Sequence, residues 1–146
     1  MAIKYLPDAD HVVRHINSQL LIRDGDVVTG CFPQAFELRP GETYLSASWL
    51  EFFSGTDDER RRAVVAAVAS ARSVKPTHGF AFGNVREVKD ACAEYELKIR
   101  VIHEPSKSNP NPAYAAIRNY RSDDIELLEL LASDAWSEVV EAKVYL

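Results

Sequence analysis

Residues 79–103 read GFAFGNVREVKDACAEYELKIRVIH, and the reading of this stretch decides the fold. Gly79–Gly83 is a short apolar run bounded by glycine, the pattern of a buried strand. Asn84 follows at a helix N-cap position, with Glu87 three residues on. Val85, Val88, Cys92 and Tyr95 then recur on roughly one helical face. Leu97, Ile99 and Val101 alternate with Lys98 and Arg100, the period of a strand covered on one face. Strand, helix and strand joined by a crossover of about a dozen residues form a βαβ unit, whose two strands are expected to be parallel.

Upstream, the pattern is that of an antiparallel meander over roughly residues 11–50. HVVRHI is rich in β-formers. QLLIR and DVVTG flank Asp24-Gly25, a pair suited to a two-residue hairpin turn because both central positions need positive φ. AFELR and TYLSASWL flank Pro40-Gly41, where proline presets the first turn residue and glycine accepts the second. Val12, Val13, Leu20, Ile22, Val28, Phe36, Leu38, Leu45 and Trp49 are candidates for the buried side. Thr56-Asp57-Asp58-Glu59 is a capping box opening a helix that Pro76 forbids from continuing. Its small apolar core, AVVAAVASA, suits close packing on a sheet.

Downstream of His103 comes HEPSKSNPNP, then a short predicted helix over Ala113–Asn119. A longer predicted helix starts at Ser122, with Ile125, Leu128, Ala132, Ala135 and Val139 as its apolar stripe. The fold class expected is α+β in a single domain over residues 1–146. An N-terminal antiparallel meander leads into an αβαβ portion with one parallel strand pair, and helices close the C-terminus.

Composition narrows the function. The 146 residues are 47% hydrophobic and 27% charged, the balance of a globular domain long enough for a real core. No apolar run reaches the roughly 18–20 residues of a membrane span. MAIKYLPDADH turns acidic within ten residues and lacks the apolar core of a secretory signal. Cys31 and Cys92 are far apart in sequence and read as reduced thiols of a cytoplasmic protein. The net charge is −5, and seven of the 22 acidic residues lie between Ser122 and Ala142 with no basic residue among them. The rest of the chain is near neutral. Arg60-Arg61-Arg62 directly follows Asp57-Asp58-Glu59, a solvated helix start rather than a phosphate-binding face, so duplex nucleic acid is disfavoured as a partner.

Parallel strands place their C-terminal ends on one sheet edge, where open α/β sheets bind ligands. Gly83, Asn84, His103 and Glu104 are expected there, with Asn109 close behind. The helix N-terminus at Asn84 offers backbone N–H groups to an anion. His103 offers an acid or base near neutral pH, assisted by Glu104 or Asn109. A capped turn and a polar strand end account for the same residues. His11 and His15 share a face, but no compact ligand set accompanies them, so no metal is expected. Phosphate-loop, dinucleotide and Gly-x-Ser-x-Gly fingerprints are absent.

Arg14 in one strand, Ser46-Ala47-Ser48 in a later one and Glu94-Tyr95-Glu96 before a third form a recognisable order. It resembles the arginine, Ser-x-Ser, Glu-x-Glu arrangement of one class of mono-ADP-ribosyltransferases, with alanine replacing threonine in the serine motif. The resemblance implies that Arg14 holds a phosphate of NAD and Ser46 steadies the nicotinamide ribose pocket. It further implies that Glu96 stabilises an oxocarbenium-like transition state while Glu94 orients the acceptor. NAD is expected only under that reading, and no cofactor otherwise.

Over Asp10 to about Ile117, DHVVRH…AFELRPGETYLSASWLEFF…HEP…NPNPAYAAI resembles a group of small bacterial proteins of unknown function. That resemblance implies a bacterial, cytoplasmic, single-domain protein and no particular activity. The leading expectation is therefore a binding or accessory module acting on a protein partner. Its docking surface would be the acidic helix 122–142, through Asp123, Glu126, Glu129 and Glu138. A solvated outer face is the plainer account of those carboxylates. The competing expectation is an NAD-using transferase, or another small enzyme with its site at the strand edge.

Overall fold

The computed structural model describes residues 2–146. In chain order the elements are β1 (Lys4–Tyr5), β2 (His11–Ile16), β3 (Leu21–Asp24), β4 (Val27–Cys31), β5 (Leu45–Trp49), α1 (Asp57–Ala71), β6 (Gly79–Asn84), α2 (Val85–Ala93), β7 (Arg100–His103), β8 (Tyr114–Arg118), α3 (Ile125–Leu130) and β9 (Glu138–Glu141). Seven strands make one sheet in the order β1-β7-β8-β5-β2-β6-β9, and β3-β4 form a separate hairpin. The architecture is α+β, and every neighbouring pair is antiparallel.

The expected parallel pair does not form. β6 pairs with β2 and β9, whereas β7 pairs with β1 and β8. The two strands do run in the same direction, but β2, β5 and β8 stand between them. Four strand spacings of about 4.8 Å put them roughly 19 Å apart. Their C-terminal ends share an edge without sharing a site.

Sheet pairing also overrides two helix expectations. Residues 114–118 form β8, held between β5 and β7, so residues 104–113 connect two antiparallel strands. The acidic helix 122–142 is three pieces: α3, a π-helical turn over Leu131–Ala135, and the edge strand β9. Ile125 is 50% exposed, whereas Leu127 and Leu128 are buried. Val139 lies in β9 opposite Ala81, not on a helical stripe. In the N-terminal half the strand expected over AFELR does not form: Ala35 and Phe36 end a 3-10 turn that starts at Pro33, and residues 37–39 join no sheet. The hairpin turn falls one residue later than read, since Asp24 still pairs with Val27 and Gly25 takes φ 62°.

The local signals hold. The Thr56 hydroxyl accepts from the Glu59 N–H, and the Glu59 carboxylate accepts from the Thr56 N–H, closing the capping box. The Asn84 side chain accepts from the Glu87 N–H. The Glu42 N–H donates to the Arg39 carbonyl across Pro40-Gly41, with Gly41 at φ 86°.

The sheet is the middle of three layers. On one face α1 contributes Val64, Val65 and Val68 against Val13, Phe80 and Phe82. The other face buries Val12, Ile16, Leu45, Ala47, Ala81 and Ile117 under α2, α3 and the π-helical turn. Trp136 and Phe36 are fully buried there, with ring centroids 5.4 Å apart. Of the expected core, Val12, Val13, Phe36, Leu45 and Trp49 are buried. Leu20, Val28 and Leu38 are half-buried, while Ile22 is 38% exposed.

Candidate functional site: the cleft where the sheet parts

β2 stays paired with β6 along all six of its residues, from His11 to Ile16. Its pairing with β5 ends after Val12↔Trp49 and Val13↔Ser48. Past Val13 the two strands diverge, and the side chain of Arg14 fills the gap. Its Nη1 donates to the Ser46 main-chain oxygen at 2.6 Å and reaches Ser46 Oγ at 3.4 Å. Its Nε donates to the Ala35 carbonyl at 2.8 Å. The guanidinium thus serves the Ser46 carbonyl on the stretch of β5 that β2 leaves unpaired and the Ala35 carbonyl of the Pro33–Phe36 turn. Burial pulls its pKa down to about 10, which leaves it charged at neutral pH.

The parting opens a cleft with two lobes, which share Arg14, His15, Glu42, Ser46 and Arg72. One lobe, of about 350 Å³, lies between the C-terminal end of α1 and the 104–113 connection. The other, of about 260 Å³, is walled by Asn17, Gln34, Glu37 and Arg39. In the larger lobe Asn111 is buried, and its Nδ2 donates to Ser48 Oγ at 2.9 Å. The Asn109 side chain accepts from the Asn111 N–H at 2.9 Å, so the connection is folded onto the sheet by its own amides. The Tyr114 and Tyr44 hydroxyls lie 2.9 Å apart, and burial together with that neighbour pushes the Tyr114 pKa up.

His15 Nε2 is 2.8 Å from His78 Nδ1, which also accepts from the Lys75 N–H at 3.3 Å. That second bond makes His78 Nδ1 the acceptor and assigns the shared proton to His15 Nε2. Burial, reinforced by Arg72, His78 and Arg14, holds the His15 pKa down to about 3. It is a neutral imidazole at physiological pH. Among the described residues, Arg39, Arg72, Glu37 and Glu42 form no ion pair, although all four line the cleft. A fixed, half-buried cation flanked by two further guanidinium groups suits a carboxylate or phosphate. Glu37 and Glu42 offer acceptors for hydroxyl or amino groups of the same ligand.

The residues singled out in the sequence divide sharply. Arg14 and Ser46 meet in the cleft, and Asn109 lines it. Glu94 and Glu96 line neither lobe. Glu94 is the C-cap of α2, and Glu96 terminates that helix in the left-handed region at φ 62°. His103 Nε2 donates to the Pro112 carbonyl, and its ring packs 5.2 Å from Trp49 and 5.3 Å from Phe52. Glu104 is held by Arg118 through two bonds of 2.5 and 2.7 Å. The Asn84 amide donates to the Asp8 and Asp10 carbonyls while its oxygen caps α2. Gly83 is packed against Trp136. His11 bonds Glu51 at 2.6 Å and His15 bonds His78, so the two histidines have separate partners.

The acidic set is also dispersed. Glu138 receives two 2.8 Å bonds from Arg61 on the α1 face. Glu126 and Glu129 lie along a groove on the opposite face, and Asp123 is exposed just before α3. The cleft residues that sequence reasoning missed are His15 in this role, Arg39, Glu42, Arg72, Asn111 and Tyr114. Arg39 and Glu42 bracket the Pro40-Gly41 turn, whose signal was read for its backbone alone.

Comparison of the chain with protein-family models, with curated proteins and with solved structures finds no match. What fold and site define is an α+β domain whose antiparallel sheet is parted by a half-buried arginine to make a polar cleft. Among the described residues no helix is long and apolar enough to cross a membrane, and no three His, Cys, Asp or Glu residues gather to hold a metal ion.

Proposed function

We propose that the protein is a small binding module whose cleft takes up a polar ligand carrying a carboxylate or phosphate. One observation carries this reading. Arg14, Arg39 and Arg72 converge on one cleft, and no carboxylate there forms an ion pair with any of them. Arg14 is pre-positioned by main-chain oxygens, so little side-chain entropy is lost on binding. The thiols of Cys31 and Cys92 are free and buried, which supports a reducing compartment such as the cytoplasm. Burial raises their pKa values to about 11 and about 12, so neither is poised for exchange.

Thermal unfolding in the presence of phosphate, citrate, AMP or NAD tests the proposal. A ligand at a hundredfold excess over its Kd stabilises by about 2.7 kcal/mol. Arg72→Ala and Arg39→Ala, both on exposed residues, are expected to remove the shift while leaving the unliganded protein unchanged. Absence of any shift at millimolar concentrations would discard the reading.

A second reading, the NAD-using transferase, draws on the contact between Arg14 and Ser46. Glu42 is the carboxylate that lines both lobes of that cleft. Nicotinamide release from NAD is the assay. Loss of release in Glu42→Gln with retention in Glu96→Ala would place the chemistry at the cleft. The reverse would favour the order of motifs along the chain.

A further inference from the structure

On the face opposite α1, the hairpin β3-β4 and helix α3 leave a groove of about 660 Å³ between them. Ile22, Cys31 and Pro33 form one wall, Leu130 and Ala132 the other, and Tyr95 closes an end. Glu126 and Glu129 stand on its rim. Leu130 also borders a second groove, of about 260 Å³, which carries Glu87, Asp90, Glu94 and Asp134. No lysine, arginine or histidine lines either groove. Of these carboxylates only Asp90 has an ion-pair partner among the described residues, Arg86. Tyr95 lines the larger groove with Glu126 and Glu129, and desolvation together with the nearby carboxylates raises its pKa.

This is an apolar trough with an uncompensated negative rim on both sides of Leu130. Unpaired like charges repel one another and disfavour the compact state, so their concentration here has an energetic cost. Ile22 remains 38% exposed at the rim and Ile125, at the start of α3, 50% exposed. A chain segment with apolar side chains seated in the trough and cations on the rim would relieve both defects. Nucleic acid and anionic lipid surfaces carry the wrong sign.

We propose that the two grooves flanking Leu130 are the docking surface for a protein partner, which inserts a segment bearing several lysine or arginine residues around an apolar anchor. The charged rim steers the encounter and raises its rate at low salt, while the apolar floor sets the lifetime of the complex. The anion cleft shares no residue with these grooves. The two proposals therefore stand or fall separately.

The test is fluorescence anisotropy with a labelled twelve-residue peptide alternating lysine and leucine. Controls are the same peptide with glutamate for lysine, one with serine for leucine, and spermine as competitor. The lysine–leucine peptide is expected to bind, with affinity falling at least tenfold in the double variant Glu126→Gln/Glu129→Gln. A drop of at least threefold is expected for Ile22→Ser, and both variants should melt as the parent does because the residues are exposed. Glu42→Gln, in the other cleft, should bind unchanged. Equal binding of the parent and the double variant would overturn the proposal. So would equal binding of the leucine and serine peptides, full displacement by stoichiometric spermine, or no binding at low salt.

Discussion

Arg14 Nη1 donates to the main-chain oxygen of Ser46 over 2.6 Å, across the point where β2 and β5 cease to pair. One side chain thereby does in the sheet what two backbone strands do elsewhere, and the space it holds open is the cleft. Removing it withdraws donors from the Ala35 and Ser46 carbonyls together. Arg14→Met is expected to lower stability by about 2–3 kcal/mol. Arg14→Lys should restore less than half of that loss, because an ammonium lacks the planar fork that reaches both carbonyls. Urea unfolding measures both, and a loss below about 0.5 kcal/mol for Arg14→Met would contradict the role given to the guanidinium.

Gly83 supplies a second packing test. A Cβ built there lies 2.8 Å from the Ala135 carbonyl and 3.0 Å from the Trp136 ring, both parts of a rigid buried turn. Gly83→Ala should cost about 1–3 kcal/mol and perturb the near-ultraviolet circular dichroism of Trp136. Gly30→Ala, with nothing within 4 Å of the added carbon, should be near neutral.

Acid titration should show two separable losses. His15 has a folded pKa of about 3 against an ordinary 6.5, so the unfolded chain binds the extra proton first. Stability is therefore full above about pH 6.5 and declines as pH falls toward 3. Glu104 and Glu138 are held below the usual carboxylate range by hydrogen bonds from Arg118 and Arg61 respectively. Their contribution is present above about pH 4.3 and is lost only as pH falls through their depressed folded values. His15→Gln retains a donor for His78 and should reduce, without abolishing, the slope between pH 6.5 and 4.5, because burial holds the His78 pKa down as well. Glu104→Gln should act only below that window. An unchanged slope in His15→Gln would refute the neutral buried imidazole.

Asn111 ties the 104–113 connection to the cleft floor through Ser48, and its Oδ1 accepts from the Ala113 N–H. Asn111→Ala leaves two buried polar groups without partners, at a cost of about 1–3 kcal/mol. Amide hydrogen exchange should speed up at Ala113 and across residues 106–111 while α1 stays protected. Uniform exchange across both segments would show that the connection does not depend on this side chain.

How much of this was legible in the chain follows from the range of the forces involved. The capping box at Thr56, the cap at Asn84, the Pro40-Gly41 turn and the hairpin near Gly25 are interactions over two to four residues. Their signals lie within the local sequence and survive into the fold. The strands expected over GFAFG and LKIRVIH form as β6 and β7, although residues 97–99 of the second lie outside β7. Arg14 and Ser46 were singled out and do meet, but on a resemblance whose glutamates, 94 and 96, close a helix outside the cleft.

Strand order, by contrast, is a long-range choice. Nothing within residues 79–103 states that β2 will take one side of β6 and β9 the other, or that three strands will separate β6 from β7. YAAIR has helix-forming alanines, yet it becomes β8 because β5 and β7 both present open edges to it. EVVE leaves the acidic run to cover β6 for the same reason, which divides one apparent helix into three pieces. The class of the domain, its caps and turns, and the acidic run between Ser122 and Ala142 follow from the sequence, since propensity and charge are properties of neighbouring residues. The antiparallel order of the sheet and its parting at Arg14 arise from long-range packing. Those outcomes depend on which distant edges and carbonyls remain unsatisfied once the rest of the chain has folded.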